Sequence, residues 1–131
     1  PSAWKHFMRG DQYKNVCMDV HLYHYRDEMA IDITTPKGLS SAIARNRRLI
    51  KEARAAGFPV IVGEWSGAAV FSNVSVTPEG RAAYERVFIS NQMASFADAY
   101  GWFFQTWKTE KRIAAWDARA ALGTLERAML D

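Results

Sequence analysis

The chain has 131 residues, 49% hydrophobic and 24% charged, which is enough for one domain with a core of its own. Its 17 lysines and arginines against 14 acidic residues leave a net charge of only +3, and no basic block is interleaved with aromatics, so no nucleic-acid partner is expected. No apolar run approaches the ~20 residues of a membrane span, so no membrane partner is expected either, and the single Cys17 excludes an internal disulfide. The first residues do not read as a charged, then apolar, then small-residue leader; a secretion signal, and with it an extracytoplasmic location, would lie upstream.

In chain order, residues 16–23 alternate. Val16, Met18, Val20 and Leu22 form an apolar row, and Cys17, Asp19, His21 and Tyr23 form the other, the pattern of a strand with one packed face and one free for chemistry. The turn residues Thr34, Thr35, Pro36 and Gly38 lead into Leu39, Ala42, Ile43, Leu49, Ile50 and Ala53 at helical spacing, predicting a helix that Gly57 stops. The run Arg45, Arg47, Arg48, Lys51 and Arg54 on that helix reads as a solvated face.

Residues 59–64 read as a short strand, apolar on both faces, that ends in the carboxylate of Glu64 between Gly63 and Trp65; such a strand pairs in parallel, with helices over one side. Asn73-Val74-Ser75 fits the glycosylation triplet, which matters only in a secreting eukaryote. Thr77-Pro78-Glu79 supplies an N-cap, a first-turn proline and an acid near the positive end of a helix running through Tyr84, Phe88 and Phe96 to about Tyr100. Gly101 opens a third strand, 101–107, and a last helix spans 116–130 with Leu122, Leu125 and Leu130 at helical intervals. Three strand-plus-helix units in succession predict an α/β fold with a parallel sheet.

Three strand ends thus carry polar and aromatic groups. Asp19-Val20-His21-Leu22-Tyr23, Val62-Gly63-Glu64-Trp65-Ser66, and Gly101-Trp102-Phe103-Phe104-Gln105-Thr106-Trp107-Lys108-Thr109-Glu110 followed by Trp116, with Gln92 and Phe96 before the last, resemble motifs of the glycoside hydrolase family 5 β-glucanases. The likeness is to the exo-β-1,3-glucanase branch and covers most of the chain, from about residue 19 to 116. It implies a (β/α)₈ TIM barrel, a fold of about 250 residues. By that resemblance the three strands are the barrel's sixth, seventh and eighth with their helices, and Pro1 to Met8 belongs to the loop after the fifth. The Asn-Glu that carries the family's acid/base, at the end of the fourth strand, is then absent from this sequence.

Retaining glycosidases use two carboxyl groups about 5 to 5.5 Å apart, one attacking the anomeric carbon and the other protonating the leaving oxygen. The resemblance makes Glu64 the nucleophile; the bland alternative is a surface glutamate capping the next helix. It has Tyr23 hydrogen-bond that carboxylate, where the alternative is a core tyrosine, and His21 contact a sugar hydroxyl, where the alternative is a structural histidine. It makes Trp107 a flat stacking platform for a pyranose ring, with the phase of Phe103 and Gln105 turning it inward, and Trp102 and Phe104 packing on the opposite face. The peptide bond after this tryptophan, Trp107–Lys108, is expected to be cis.

Glu110, Asp27 and Glu28 also follow strand ends, but none is expected to act as the acid. No cofactor is implied, and no metal, since His6, His21 and His24 lack ligand spacing. One departure is Arg26, where the fungal enzymes tend to carry an aromatic, which bears on the leaving-group subsite and β-1,3 preference. The expected function is therefore that of the C-terminal part of a retaining β-glucanase acting on β-glucan or β-gluco-oligosaccharide, nearly inactive alone. Two alternatives stand beside it: a non-catalytic carbohydrate-binding remnant gripping sugar through Trp107, Tyr23 and His21, and a folding unit whose open edges require a second copy or a missing N-terminal half.

Overall fold

The structure is a computed structural model that describes residues 2–26, 30–71 and 76–123. Asp27, Glu28, the Asn73-Val74-Ser75 triplet and the stretch of the expected last helix beyond residue 123 lie outside the described residues. A short 3₁₀ turn, Ser2–His6, precedes strand β1 (Met18–His24), helix α1 (Pro36–Arg54), strand β2 (Val60–Ala69), helix α2 (Pro78–Ser95), strand β3 (Gly101–Phe104), a second 3₁₀ turn (Ala114–Trp116) and a short helix α3 (Ala118–Ala121). The three strands form one parallel sheet in the order β1-β2-β3.

Local chemistry sets the helix ends. Thr35 and Thr77 each precede a first-turn proline, and each accepts a hydrogen bond through its hydroxyl, from the Gly38 and Gly80 amides, satisfying amides that have no partner inside the helix. Gly57 sits at φ 84° just past α1, in the left-handed region where glycine is favoured, and the Gly57 amide donates to the Arg54 carbonyl. The Arg9 guanidinium reaches the Ala56 and Gly57 carbonyls and lies 3.8 Å from the Phe58 ring centroid, tying the N-terminal segment to this helix end. Helix α2 stops at Ser95, short of Tyr100, because Phe96 leaves helical ψ and the Ala99 amide turns back to Phe96.

The core lies between the sheet and the helices. Leu22, Val60, Val62 and Trp65 project from the strands onto Ile50 and Ala53 of α1 and Ile89 of α2, with Phe96 beside them. Trp65 is fully buried and meets Phe96, Trp102 and Phe104 edge-on at 5.0, 5.3 and 4.8 Å, so the last two are packing residues, as the alternation predicted. Arg47, Arg48, Lys51 and Arg54 are exposed, and Arg48 and Arg54 pair with Glu52 and Asp98. A buried polar chain also runs through this interface: His24 Nε2 contacts Asn46 Oδ1 at 2.9 Å, Asn46 Nδ2 donates to Ser95 Oγ, Ser95 Oγ donates to the Gln92 carbonyl, and Gln92 Nε2 donates to the Ser66 carbonyl. It links β1, α1, α2 and β2 where a helix pattern alone leaves Asn46 unremarkable.

All three strands differ from expectation in their boundaries: β1 spans Met18–His24 rather than 16–23. β2 does not end at Glu64 but continues to Ala69, because pairing with β1 goes on through Trp65 opposite Leu22 and Ala69 opposite His24. β3 ends at Phe104 rather than at residue 107: the Gln105 amide still donates to Trp65, but the Thr106 amide turns to the Trp116 carbonyl, and the Thr106 carbonyl accepts from Ala118.

Candidate active site

A bulge aims the carboxylate. Val62 pairs with Val20, and the next pair is Glu64 with His21, so Gly63 and Glu64 together oppose a single step of β1. Val62 and Trp65, three residues apart, both enter the core, and strict alternation from Val60 and Val62 would have sent Glu64 into the core with them. The extra residue instead leaves Glu64 beside His21 and Tyr23 of β1, on the face of the sheet turned away from α1 and α2.

Tyr23 Oη donates to Glu64 Oε2 at 2.8 Å. Burial, and then the adjacent Glu64 carboxylate, push the Tyr23 phenol well above its ordinary pKa, so it stays protonated and donates across the neutral range. His21 is half exposed between two acids: its Nδ1 is 3.6 Å from Glu64 Oε2, and its Nε2 is 3.3 Å from Asp19 Oδ2. Asp19 Oδ1 accepts the Gly63 amide at 2.9 Å, and a methyl group at Gly63 would collide with that carboxylate. Glycine at the bulge therefore makes room for Asp19, a requirement that the Gly-Glu pair inside an apolar strand signals.

Tyr23 is backed by rings. Trp116 lies 5.9 Å from it, Tyr25 lies 5.6 Å from it, and Tyr25 and Trp116 meet edge-on at 5.1 Å. The guanidinium of Arg26 is 5.2 Å from the Tyr25 ring. The sequence motifs include Trp116 without giving it a role at Glu64 and leave Tyr25 out; nothing in the spacing of Tyr23 and Trp116, 93 positions apart, predicts that their rings meet.

Trp107 is placed differently. It lies three residues beyond β3, is 68% exposed, and makes no ring contact with any described residue, so strand phase does not orient it. The cis peptide on this segment is Gln105–Thr106, not Trp107–Lys108, and hydrogen bonds from Gln105, to Thr106 and from Thr106 hold the chain on either side of it. The loop that carries Trp107 is fastened by Asp117, fully buried, which accepts from the Thr109 amide at 2.8 Å and from the Ala120 amide at 3.2 Å. These bonds, that from Thr109 foremost, hold its carboxyl below the usual carboxylate range. Glu110 is exposed, and Asp19 Oδ1 is held by the Gly63 amide. Among the described residues no three His, Cys, Asp or Glu side chains gather as a metal site.

No protein-family model matches the chain. It is 25% identical to a probable glucan 1,3-beta-glucosidase A of Aspergillus clavatus and 27% identical to the protein of that name from two strains of Aspergillus fumigatus, in each case over 92% of its length. The chain is a distant relative of these fungal proteins. It spans about a third of their length, 35% in each case.

Proposed function

We propose that this chain carries the nucleophile side of a retaining β-glucosidase active on glucan, with β-1,3 linkages favoured because the relatives are named for them. The observation that carries the reading is the Tyr23 hydroxyl held 2.8 Å from Glu64 on the face of a parallel sheet turned away from α1 and α2. In this reading Glu64 attacks the anomeric carbon, displacing the leaving oxygen and forming a glycosyl ester that water then hydrolyses. The Tyr23 hydrogen bond fixes the carboxylate's rotamer with one oxygen occupied, leaving Oε1 for attack. His21 meets a sugar hydroxyl from the same face, and Trp107, exposed on its loop, is the stacking surface.

The three strands are then the last three of a (β/α)₈ barrel, and the polar face is its interior. Sequential neighbours in strict parallel order, helices packed against one face, and a span of about a third of the relatives' length support that placement. The missing strands would pair with the outer edges of β1 and β3 and cover Phe103, which is 62% exposed on the open face. The acid/base belongs to that missing part.

Two measurements test the reading. Calorimetric titration with laminari-oligosaccharides should show binding that Trp107→Ala weakens by about tenfold or more; the absence of binding, or equal binding by the variant, would remove the sugar site. Laminarin or aryl β-glucoside hydrolysis by the 131-residue chain should be negligible. Ordinary enzyme rates that vanish in Glu64→Gln would show that the acid lies within the chain.

A further inference from the structure

Asp19 sits where two constraints meet. Its Oδ1 accepts the Gly63 amide, so this oxygen is fixed by the bulge that aims Glu64, and the absence of a side chain at Gly63 is what lets it approach. Its Oδ2 lies 3.3 Å from His21 Nε2. An ionised carboxylate can only accept, so a neutral His21 satisfies this contact with the proton on Nε2, and Nδ1 then carries the lone pair. Nδ1 is the nitrogen 3.6 Å from Glu64 Oε2, beyond hydrogen-bond distance, and that oxygen already receives the Tyr23 hydroxyl.

We infer that Asp19 is a positioning residue that holds His21 in the Nε2–H tautomer, so that Nδ1 acts as an acceptor for a sugar hydroxyl entering beside Glu64. The inference rests on the reading of Glu64 and His21 as a sugar site, and it assigns His21 a direction: it accepts a hydroxyl proton rather than donating to a ring or hydroxyl oxygen. Through the Gly63 amide the same carboxylate ties the position of His21 to the bulge, so the sugar contact and the attacking carboxylate share one anchor.

Long-range proton–nitrogen correlation spectra of the chain, taken at a pH where His21 is neutral, read the tautomer directly. The wild-type chain should show Nε2 protonated and Nδ1 bare. In Asp19→Asn the amide oxygen must still accept from Gly63, which turns the amide NH₂ toward His21 Nε2; the ring should then invert to the Nδ1–H form, and laminari-oligosaccharide binding should weaken about tenfold. A wild-type His21 protonated on Nδ1 would overturn the assignment, and this result needs no variant to fold. An unchanged tautomer in a folded Asp19→Asn would overturn it as well. If the tautomers invert but neither protein binds sugar, Asp19 still orients His21, and hydroxyl acceptance falls together with the sugar-site reading.

Discussion

The hydroxyl of Tyr23 and the carboxylate of Glu64 meet at 2.8 Å across two neighbouring strands, and a one-residue bulge at Gly63 is what puts them on the same face. Removing either partner should be visible at the other. In Glu64→Gln the Tyr23 phenol loses its charged neighbour but stays partly buried, so its titration by ultraviolet absorbance should move to lower pH without returning fully to the ordinary tyrosine value. Because the folded state raises this pKa, the stability Tyr23 contributes is complete below about pH 10 and is lost as pH rises beyond it. A titration unchanged by the substitution would mean that the two groups do not interact.

Gly63→Ala should destabilise the chain by about 1 to 3 kcal/mol, since the added methyl enters the space of Asp19. The clash is with one side chain, so Asp19→Ala in the same molecule should recover much of the loss, and urea denaturation of the two single variants and the double variant measures the coupling. Simple additivity would place the cost elsewhere in the bulge.

His24 predicts an acid-side loss of stability. Burial holds its pKa below the ordinary 6.5, with Arg45 adding to the effect against the Asn46 contact, and Nδ1 has no partner among the described residues. The unfolded chain therefore binds a proton that the folded chain resists. Stability from this group is complete above about pH 6.5 and falls as pH drops toward the folded value, by up to about 1.4 kcal/mol per pH unit. Thermal melts across that range should show the slope, and His24→Gln should flatten it.

Asp117→Ala should free the loop that carries Trp107. With the Thr109 and Ala120 amides unpaired, trypsin should cut at Lys108, Lys111 or Arg112 faster than in the wild-type chain. Equal cleavage would mean that the loop is held by something other than this carboxylate.

The strand-helix order was legible because each unit carries its own punctuation: Thr35 and Thr77 as caps, Gly57 as a stop, and rows such as Val60, Val62 and Leu22 for the core. The meeting of Tyr23 with Glu64 was reachable only through motif resemblance, since simple alternation buries Glu64; the clue to the bulge was the glycine before it. Trp107 was oriented by a strand phase that lapses at Phe104, where the chain turns to Trp116 instead of β2. The Tyr25 and Trp116 rings and the Asn46 network arise from contacts between distant segments, which periodicity within one element does not encode.

The nucleophile assignment is tested most directly by trapping. A fluorosugar β-glucoside with a nitrophenolate leaving group departs without acid assistance, so the attacking carboxylate can be captured even where the acid is absent, and peptide mass mapping locates the ester. Glucosylation of Glu64, lost in Glu64→Gln, is the predicted result. A label on another carboxylate, or no label on a chain that binds laminari-oligosaccharides, would contradict it.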